Sequence, residues 1–357
     1  MNTVESRLKT KGAFDARLHM QPTRTHRTSA FRSKKDERRY WFLLTLFIGL
    51  GLLAALGLLL YNNPVPVDSP SFIPVVQRRL EAIVAMFIAA LCHSFSTVAF
   101  QSVTNNRIIT PSLLGYEALY SFIQTSTLFF FGASTLASFS GTGAFFLQVT
   151  LMVTLSLILY GWLLSGKYGN LHLMLLVGII IGAGLNSVSG FMRRLLAPSE
   201  FDLLQSRLIG SVNNADAEYF PIVIPMVMIT VLLLFLFSRK LNILSLGRDV
   251  ATTFGLRYQA GIIYTLVLVA VLMAISTSLI GPLTFFGFLV ALLSYQATPT
   301  YDHKYIFPMA FAIGFSILTT AYFLLYHVFN AQTVVAVVIE LFGGLIFLTV
   351  ILRKRSL

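Results

Sequence analysis

From Tyr40 onward the chain is a succession of apolar stretches. Each is close to the roughly 20 residues that a helix rising 1.5 Å per residue needs to cross a bilayer's hydrocarbon. The pattern predicts ten membrane spans, at about 41–61, 80–101, 113–132, 145–165, 171–191, 219–238, 260–279, 281–297, 305–326 and 332–352, the eighth of them short. Between the second and third the pattern breaks at Gln101-Ser-Val-Thr-Asn-Asn-Arg-Ile-Ile-Thr-Pro-Ser-Leu-Leu-Gly115, a polar hinge with two asparagines, an arginine and a proline. Backbone amides and carboxamides are costly in hydrocarbon unless protein or a water-filled path satisfies them, so this hinge implies a packed, conduit-forming membrane protein.

Composition excludes a soluble globular domain: 56% of the residues are hydrophobic, 11% are charged, and the mean hydropathy is +0.78. The fold class is an all-α polytopic membrane protein of about ten transmembrane helices. The net charge of +12 does not read as nucleic-acid binding, because Lys and Arg sit at the ends of apolar runs rather than along one polar face. Residues 1–40 carry eleven Lys/Arg against four Asp/Glu and read as a disordered basic tail, with Tyr40 and Trp41 as an interfacial aromatic pair ahead of a membrane domain over 41–357. With the N-terminus inside, 21 of the 26 basic residues face the cytoplasm; only Arg78, Arg79, Arg193, Arg194 and Arg207 lie outside. That distribution predicts N-in and C-in termini and an even number of spans.

Two connections exceed simple turns. The outer segment 192–218 alternates charge with leucine and predicts a short amphipathic helix on the outer face. The inner segment 239–260 reads as two short helices broken at Gly247 and Gly255, presenting Leu246, Val250, Phe254 and Leu256 as apolar knobs among charges. On pattern alone, such a segment lies on lipid as readily as it docks a partner.

Other motifs carry less. Gly161-Trp-Leu-Leu-Ser-Gly-Lys-Tyr168 nearly spells a phosphate-binding loop, but Tyr168 replaces the hydroxyl residue that would hold magnesium and no strand precedes it. His93 sits in an apolar run without a second ligand at i+4, the pattern of a packed or pore-facing imidazole rather than a metal site. Gly178 and Gly182 form a small-xxx-small pair for helix packing, and Asn186, Ser187, Ser189 and Gly190 continue that helix as a conduit-facing wall. Glu340 stands near the middle of the last span, where an ionised carboxylate costs at least about 2.5 kcal/mol unless it faces protein or water or is protonated. The other acids near spans, Glu81 and Glu117, lie closer to helix ends and offer it no evident relay. Cys92 is the single cysteine, so neither an intrachain disulfide nor a cysteine-type zinc site can form. No catalytic constellation or metal-ligand spacing is present.

Three motifs carry a resemblance. Gln101, Asn105, Asn106, Pro111 and Leu113-Leu-Gly115 resemble the signature after the second span in permeases of the vitamin B12 and ferric-siderophore (type II) ABC importers. Leu246-Gly-Arg-Asp-Val-Ala-Thr-Thr-Phe-Gly-Leu256 resembles that family's cytoplasmic coupling loop, and Gly281-Pro-Leu-Thr-Phe-Phe-Gly287 its turn into the eighth span. The form Thr104-Asn-Asn-Arg-Ile-Ile-Thr-Pro111 is most similar to the iron-chelate branch, which includes permeases for catechol siderophores. Where many relatives carry Pro-His at the end of the eighth span this chain has Ala291-Leu292, so substrate contacts do not transfer from the vitamin B12 permease.

The resemblance implies a permease subunit in the bacterial cytoplasmic membrane, without catalysis, metal or cofactor of its own. A second permease, identical or paralogous, would pack against the fifth and tenth spans. A separate ATPase, holding ATP and magnesium, would grip Leu246, Gly247, Arg248, Asp249, Ala251, Phe254, Gly255 and Leu256. A periplasmic or lipid-anchored binding protein would deliver the ferric siderophore, with Arg78 and Arg79 matching the family's docking arginines; as helix-end charges they also suit snorkelling. The path would be shaped by Gln101, Asn105, Asn106, Asn186, Ser189, Glu340, Gly343 and Gly344. The rival expectation is an ion-coupled secondary transporter of a small solute, which would also show broken spans and an acid at the midplane.

Overall fold

The computed structural model describes residues 30–66, 68–138, 141–164, 171–329 and 334–354. Among them there are thirteen α-helices and no strands. In chain order they are α1 (Lys34–Leu60), α2 (Phe72–Val103), α3 (Tyr116–Ser138), α4 (Thr142–Leu164), α5 (Leu171–Arg194), α6 (Pro198–Leu208), α7 (Phe220–Leu236), α8 (Ser238–Leu244), α9 (Arg248–Thr253), α10 (Tyr258–Ile280), α11 (Phe286–Ala297), α12 (His303–Phe323) and α13 (Val335–Lys354). A helix overlaps each of the ten apolar runs. Six helical stretches, Lys34–Leu60, Phe72–Val103, Leu173–Arg194, Ala217–Leu236, Tyr258–Ile280 and His303–Val328, are long and apolar enough to cross a membrane. Thr142–Ile158, Phe286–Ala297 and Val335–Val350 are shorter apolar helices.

Boundaries differ from the sequence reading for identifiable reasons. The first helix begins at Lys34, inside the segment read as tail, because the Ser33 side chain accepts from the Asp36 amide and Asp36 and Glu37 suit the helix N-terminus. Ahead of it, Phe31 is buried between the rings of Tyr40 and Tyr305, at centroid distances of 5.4 and 4.7 Å. Residues 30–40 of the segment read as a disordered tail are therefore structured, and residues 1–29 of it lie outside the described residues. The near-phosphate-loop at Gly161–Tyr168 lies partly outside the described residues; α4 runs through Leu164.

The centre of the bundle is α2. Every residue from Ile88 to Thr104 is buried, and the helix packs against α7, α10, α11 and α12. A helix buried on all faces needs small or polar side chains that satisfy one another, and here Ser94, Ser102 and Thr104 return their hydroxyls to backbone carbonyls of the preceding turn. His93 is packed rather than pore-facing, with its ring edge-on to Phe286 at 5.3 Å.

The remaining helices diverge from this centre in how much they bury. On α5, Leu176, Ile179, Ile180, Val188 and Phe191 are exposed, and on α13 so are Leu341, Phe342, Leu345 and Leu348. The opposite edge of α5 makes the close contact predicted for its glycine pair. Gly178 faces Leu114, and Gly182 meets the backbone of Gly115, where an added Cβ would stand 3.0 Å from the Gly115 Cα. Gly115 itself has φ +97, open only to glycine without strain. Since Gly182 lies halfway along α5, the hinge climbs from the end of α2 to the middle of the bundle before α3 begins. The outer segment forms α6, whose Leu204 is buried against Leu128.

These contacts set an expectation. Gly182→Leu forces the hinge off α5 and should lower the thermal midpoint of the purified protein, an overpacking cost of about 1–3 kcal/mol. Gly49→Leu, at a position on α1 with nothing within 4 Å of an added Cβ, should leave it unchanged. Equal midpoints for the two variants would show that the glycine contact is not a determinant of packing.

Candidate translocation and coupling site

The end of α2 shows how a polar segment survives inside an apolar bundle. Asn105 follows the last helical turn with φ 50, the left-handed position that Asn tolerates better than most side chains. The Asn106 amide then donates back to the Gln101 carbonyl at 3.2 Å, and the Thr104 amide to that of Phe100 at 2.9 Å. The Asn106 side chain accepts from the Ile108 amide at 3.0 Å, closing an Asx-turn. Gln101, 2% exposed, donates its amide to the Arg107 carbonyl at 2.9 Å. Of the three residues expected along the path, Gln101 and Asn106 build the turn with their carboxamides and Asn105 with its backbone: Asn105 is exposed, Asn106 half-buried and Gln101 enclosed.

The cytoplasmic-loop candidate has the expected two-helix form. Gly247 (φ +96) and Gly255 (φ +76) bracket α9. Leu246 is 60% and Phe254 67% exposed, whereas Ala251, Leu241 and Leu244 are buried. The latter anchor the loop and the former project from it, with Gly247, Arg248, Asp249 and Gly255 between them. Leu256 turns back to pack on the core, so Ala251 and Leu256 hold the loop's shape rather than face outward.

A buried polar chain joins this loop to the hinge. The Asn242 carboxamide oxygen of α8 pairs with His303 Nδ1 and accepts from the His303 amide at 3.0 Å. His303 Nε2 pairs with the hydroxyl of Ser102, the second residue of the hinge segment. Asn242 Nδ2 donates to the Asp302 carboxylate at 2.9 Å. With one ring nitrogen against a carbonyl-type acceptor, the neutral imidazole carries its proton on Nδ1, and its Nε2 shares the single Ser102 hydroxyl proton with the Val98 carbonyl, 2.7 Å from that hydroxyl. His303 and Asn242 were not singled out in the sequence; a histidine preceded by an N-capping Asp at the start of an apolar run was the signal available.

At the other end of the bundle the paired arginines separate in role. Arg79 donates to the carbonyls of Leu58, Tyr61 and Asn62 at 3.0, 3.0 and 3.1 Å. It therefore caps the C-terminus of α1. Arg78 is exposed and stands with Arg79 on the wall of a cavity of about 990 Å³, together with Glu81, Asn213, Asp216, Tyr326 and His327. Of the pair, Arg78 is the more exposed.

The other path residues fall into two groups. Asn186 is exposed on α5, whereas Ser189 is buried and returns its hydroxyl to the Leu185 carbonyl at 2.8 Å. Glu340 is half-buried beside Gly344, while Gly343 packs so closely on Phe285 that an added Cβ would lie 2.6 Å from the Phe285 Cβ. Ser189 and Gly343 thus serve packing within this chain. Glu340 does have neighbours, contrary to its isolated look in the sequence. The Thr284 hydroxyl donates to Glu117 at 2.6 Å and lies 3.4 Å from a Glu340 oxygen. Both acids meet on the turn into α11, whose Gly281 (φ +86) presses on Gly210.

Asn105 provides the sharpest test of this site. Asn105→Gly, which suits the left-handed position, should retain transport, while Asn105→Leu should lose about 1–2 kcal/mol of local stability and impair transport more than binding-protein docking. Equal transport by the two variants would detach the hinge geometry from function.

Comparison with known proteins agrees with this geometry. Residues 40–353 match the FecCD transport family. The chain is 70% identical over 357 residues, all of both chains, to the petrobactin import system permease protein FatC of Bacillus anthracis. It is 32% identical over 313 residues, 88% of this chain and 98% of the relative, to the petrobactin import system permease protein YclO of Bacillus subtilis (strain 168). Among solved structures, the fold matches a metal-chelate type ABC transporter in an inward-facing conformation with a TM-score of 0.74 at 19% identity, over 87% of this chain and 98% of that one. An all-helical bundle with a buried second helix, a glycine-bracketed loop and a polar hinge therefore has a family: the chain is a member of the FecCD transport family.

Proposed function

We propose that this chain is the permease subunit of an ABC importer that carries a ferric siderophore of the petrobactin kind, a catecholate, into the cytoplasm. Full-length identity to a petrobactin permease supports the cargo. The observation that carries the mechanism is the continuity from the exposed Leu246 and Phe254, through Asn242 and His303, to Ser102 at the base of the hinge. A partner that moved the loop would move the end of α2 with it.

Ten spans with both termini inside give the arrangement its direction, as the distribution of basic residues supports. The ATPase, holding ATP and magnesium, sits beneath residues 246–257. A second permease packs on the exposed faces of α5 and α13, which leave Asn186 and Ser187 where lipid would be a poor neighbour. The binding protein meets the outer face, with Arg78 rather than Arg79 offering the charge. Closure of the ATPases then rocks the two permeases about a path wide enough for a chelate.

Reconstitution with the partner permease, ATPase and binding protein in liposomes tests this reading. ATP-dependent uptake of the ferric chelate is expected. Gradient-driven uptake by this chain alone would sink it and favour the ion-coupled alternative, for which the meeting of Glu117 and Glu340 at Thr284 is the relevant feature. In the same system, Leu246→Asp with Phe254→Asp should dissociate or uncouple the ATPase while the permease still inserts. His303→Ala should keep ATPase association but raise the ATP hydrolysed per chelate moved, with partial rescue by His303→Gln; an unchanged ratio would show that the buried chain does not transmit motion.

A further inference from the structure

At the end of the molecule where α1 and α12 begin, a polar cavity of about 540 Å³ lies beside the hinge. Three separate segments build it: Arg32 ahead of α1, Arg107 of the hinge, and Tyr295, Thr298 and Tyr301 around the α11–α12 connection. The Arg107 guanidinium stacks over the Tyr295 ring at 4.6 Å and lies 5.9 Å from that of Tyr301. Stacking orients the guanidinium plane and leaves its N–H edge to meet an acceptor. Thr298 is 5% exposed, and its Oγ1 has no hydrogen-bond partner among the described residues. A buried hydroxyl of this kind is normally satisfied, so its state marks a missing acceptor. One acid, Asp36, also lines the cavity; its carboxylate accepts from the Ser33 hydroxyl at 2.9 Å. Two guanidiniums thus face a single carboxylate that already has a partner.

Depth identifies the acceptor. Trp41 and Phe42, less than three turns along α1 from Arg32, are 51% and 66% exposed on the outside of the bundle, as interfacial aromatics are. Lys34, Lys35, Arg38 and Arg39 are exposed at the same end of that helix. The cavity therefore lies at headgroup level, where the abundant anion is a lipid phosphate.

We propose that this cavity binds the phosphate of an anionic phospholipid, with Arg32 and Arg107 donating charge-assisted hydrogen bonds and Thr298 donating its hydroxyl. A phosphate held there bridges the segment ahead of α1 to the hinge, so the composition of the membrane bears on hinge position. The proposal rests on the helices spanning a membrane and not on the identity of the cargo.

The test uses the full chain in mild detergent, probed with phosphatidylglycerol, phosphatidylcholine, inorganic phosphate and ATP, by thermal midpoint and native mass spectrometry. Phosphatidylglycerol should raise the midpoint and remain bound, and phosphatidylcholine should do neither. Arg32→Gln with Arg107→Gln should weaken the apparent affinity by about tenfold or more. Thr298→Val should weaken it less, with Thr298→Ser restoring it. The exposed pair Lys34→Gln with Arg38→Gln should bind like the parent protein. An equal loss in that exposed pair, or equal stabilisation by both lipids, would overturn the site. Stabilisation by inorganic phosphate or ATP equal to that by phosphatidylglycerol would overturn its assignment to lipid.

Discussion

Satisfaction of the backbone where α2 stops governs much of this structure. The helix is enclosed along its second half, so its last carbonyls cannot turn to water and have no lipid partner. The Thr104 amide on the Phe100 carbonyl and, after the left-handed Asn105, the Asn106 amide on the Gln101 carbonyl meet that demand, and the Gln101 side-chain amide fixes the hinge at the Arg107 carbonyl. The hinge can then climb to mid-bundle, where Gly115 and Gly182 bring two backbones into contact. A larger residue at either glycine would displace α3 from α5. The polar character of the segment follows from this requirement before any question of cargo arises.

The same end of α2 is tied to a loop outside the bundle. Ala251, Leu241 and Leu244 tie the glycine-bracketed loop to the core, and Asn242 continues that anchorage into His303 and Ser102. Buried hydrogen bonds of this kind are costly to break singly. In the proposed mechanism these bonds are what would pass a displacement of the loop to the hinge.

Much was legible before any coordinates. Apolar run lengths located helices, since crossing hydrocarbon sets a minimum length regardless of packing. The loop's breaks at Gly247 and Gly255 were legible because both have positive φ, a demand that glycine advertises. Arg79 was read as a twin of Arg78, because sequence does not tell which of two adjacent side chains turns toward the open carbonyls of a preceding helix. Ser189 and Gly343 looked like path residues for a similar reason: small groups serve a conduit and a packing contact equally well.

By itself, then, the sequence determined the class of the protein, its all-helical construction, its polar hinge and its glycine-bracketed loop, because these depend on local composition and on the bilayer as solvent. Only the tertiary structure decided which polar residues meet. Glu117 and Glu340 share Thr284 across 223 positions of chain, and Ser102 meets His303 across 201. Such meetings are set by how helices cross, through close contacts at glycines and buried side chains, and no local pattern encodes them.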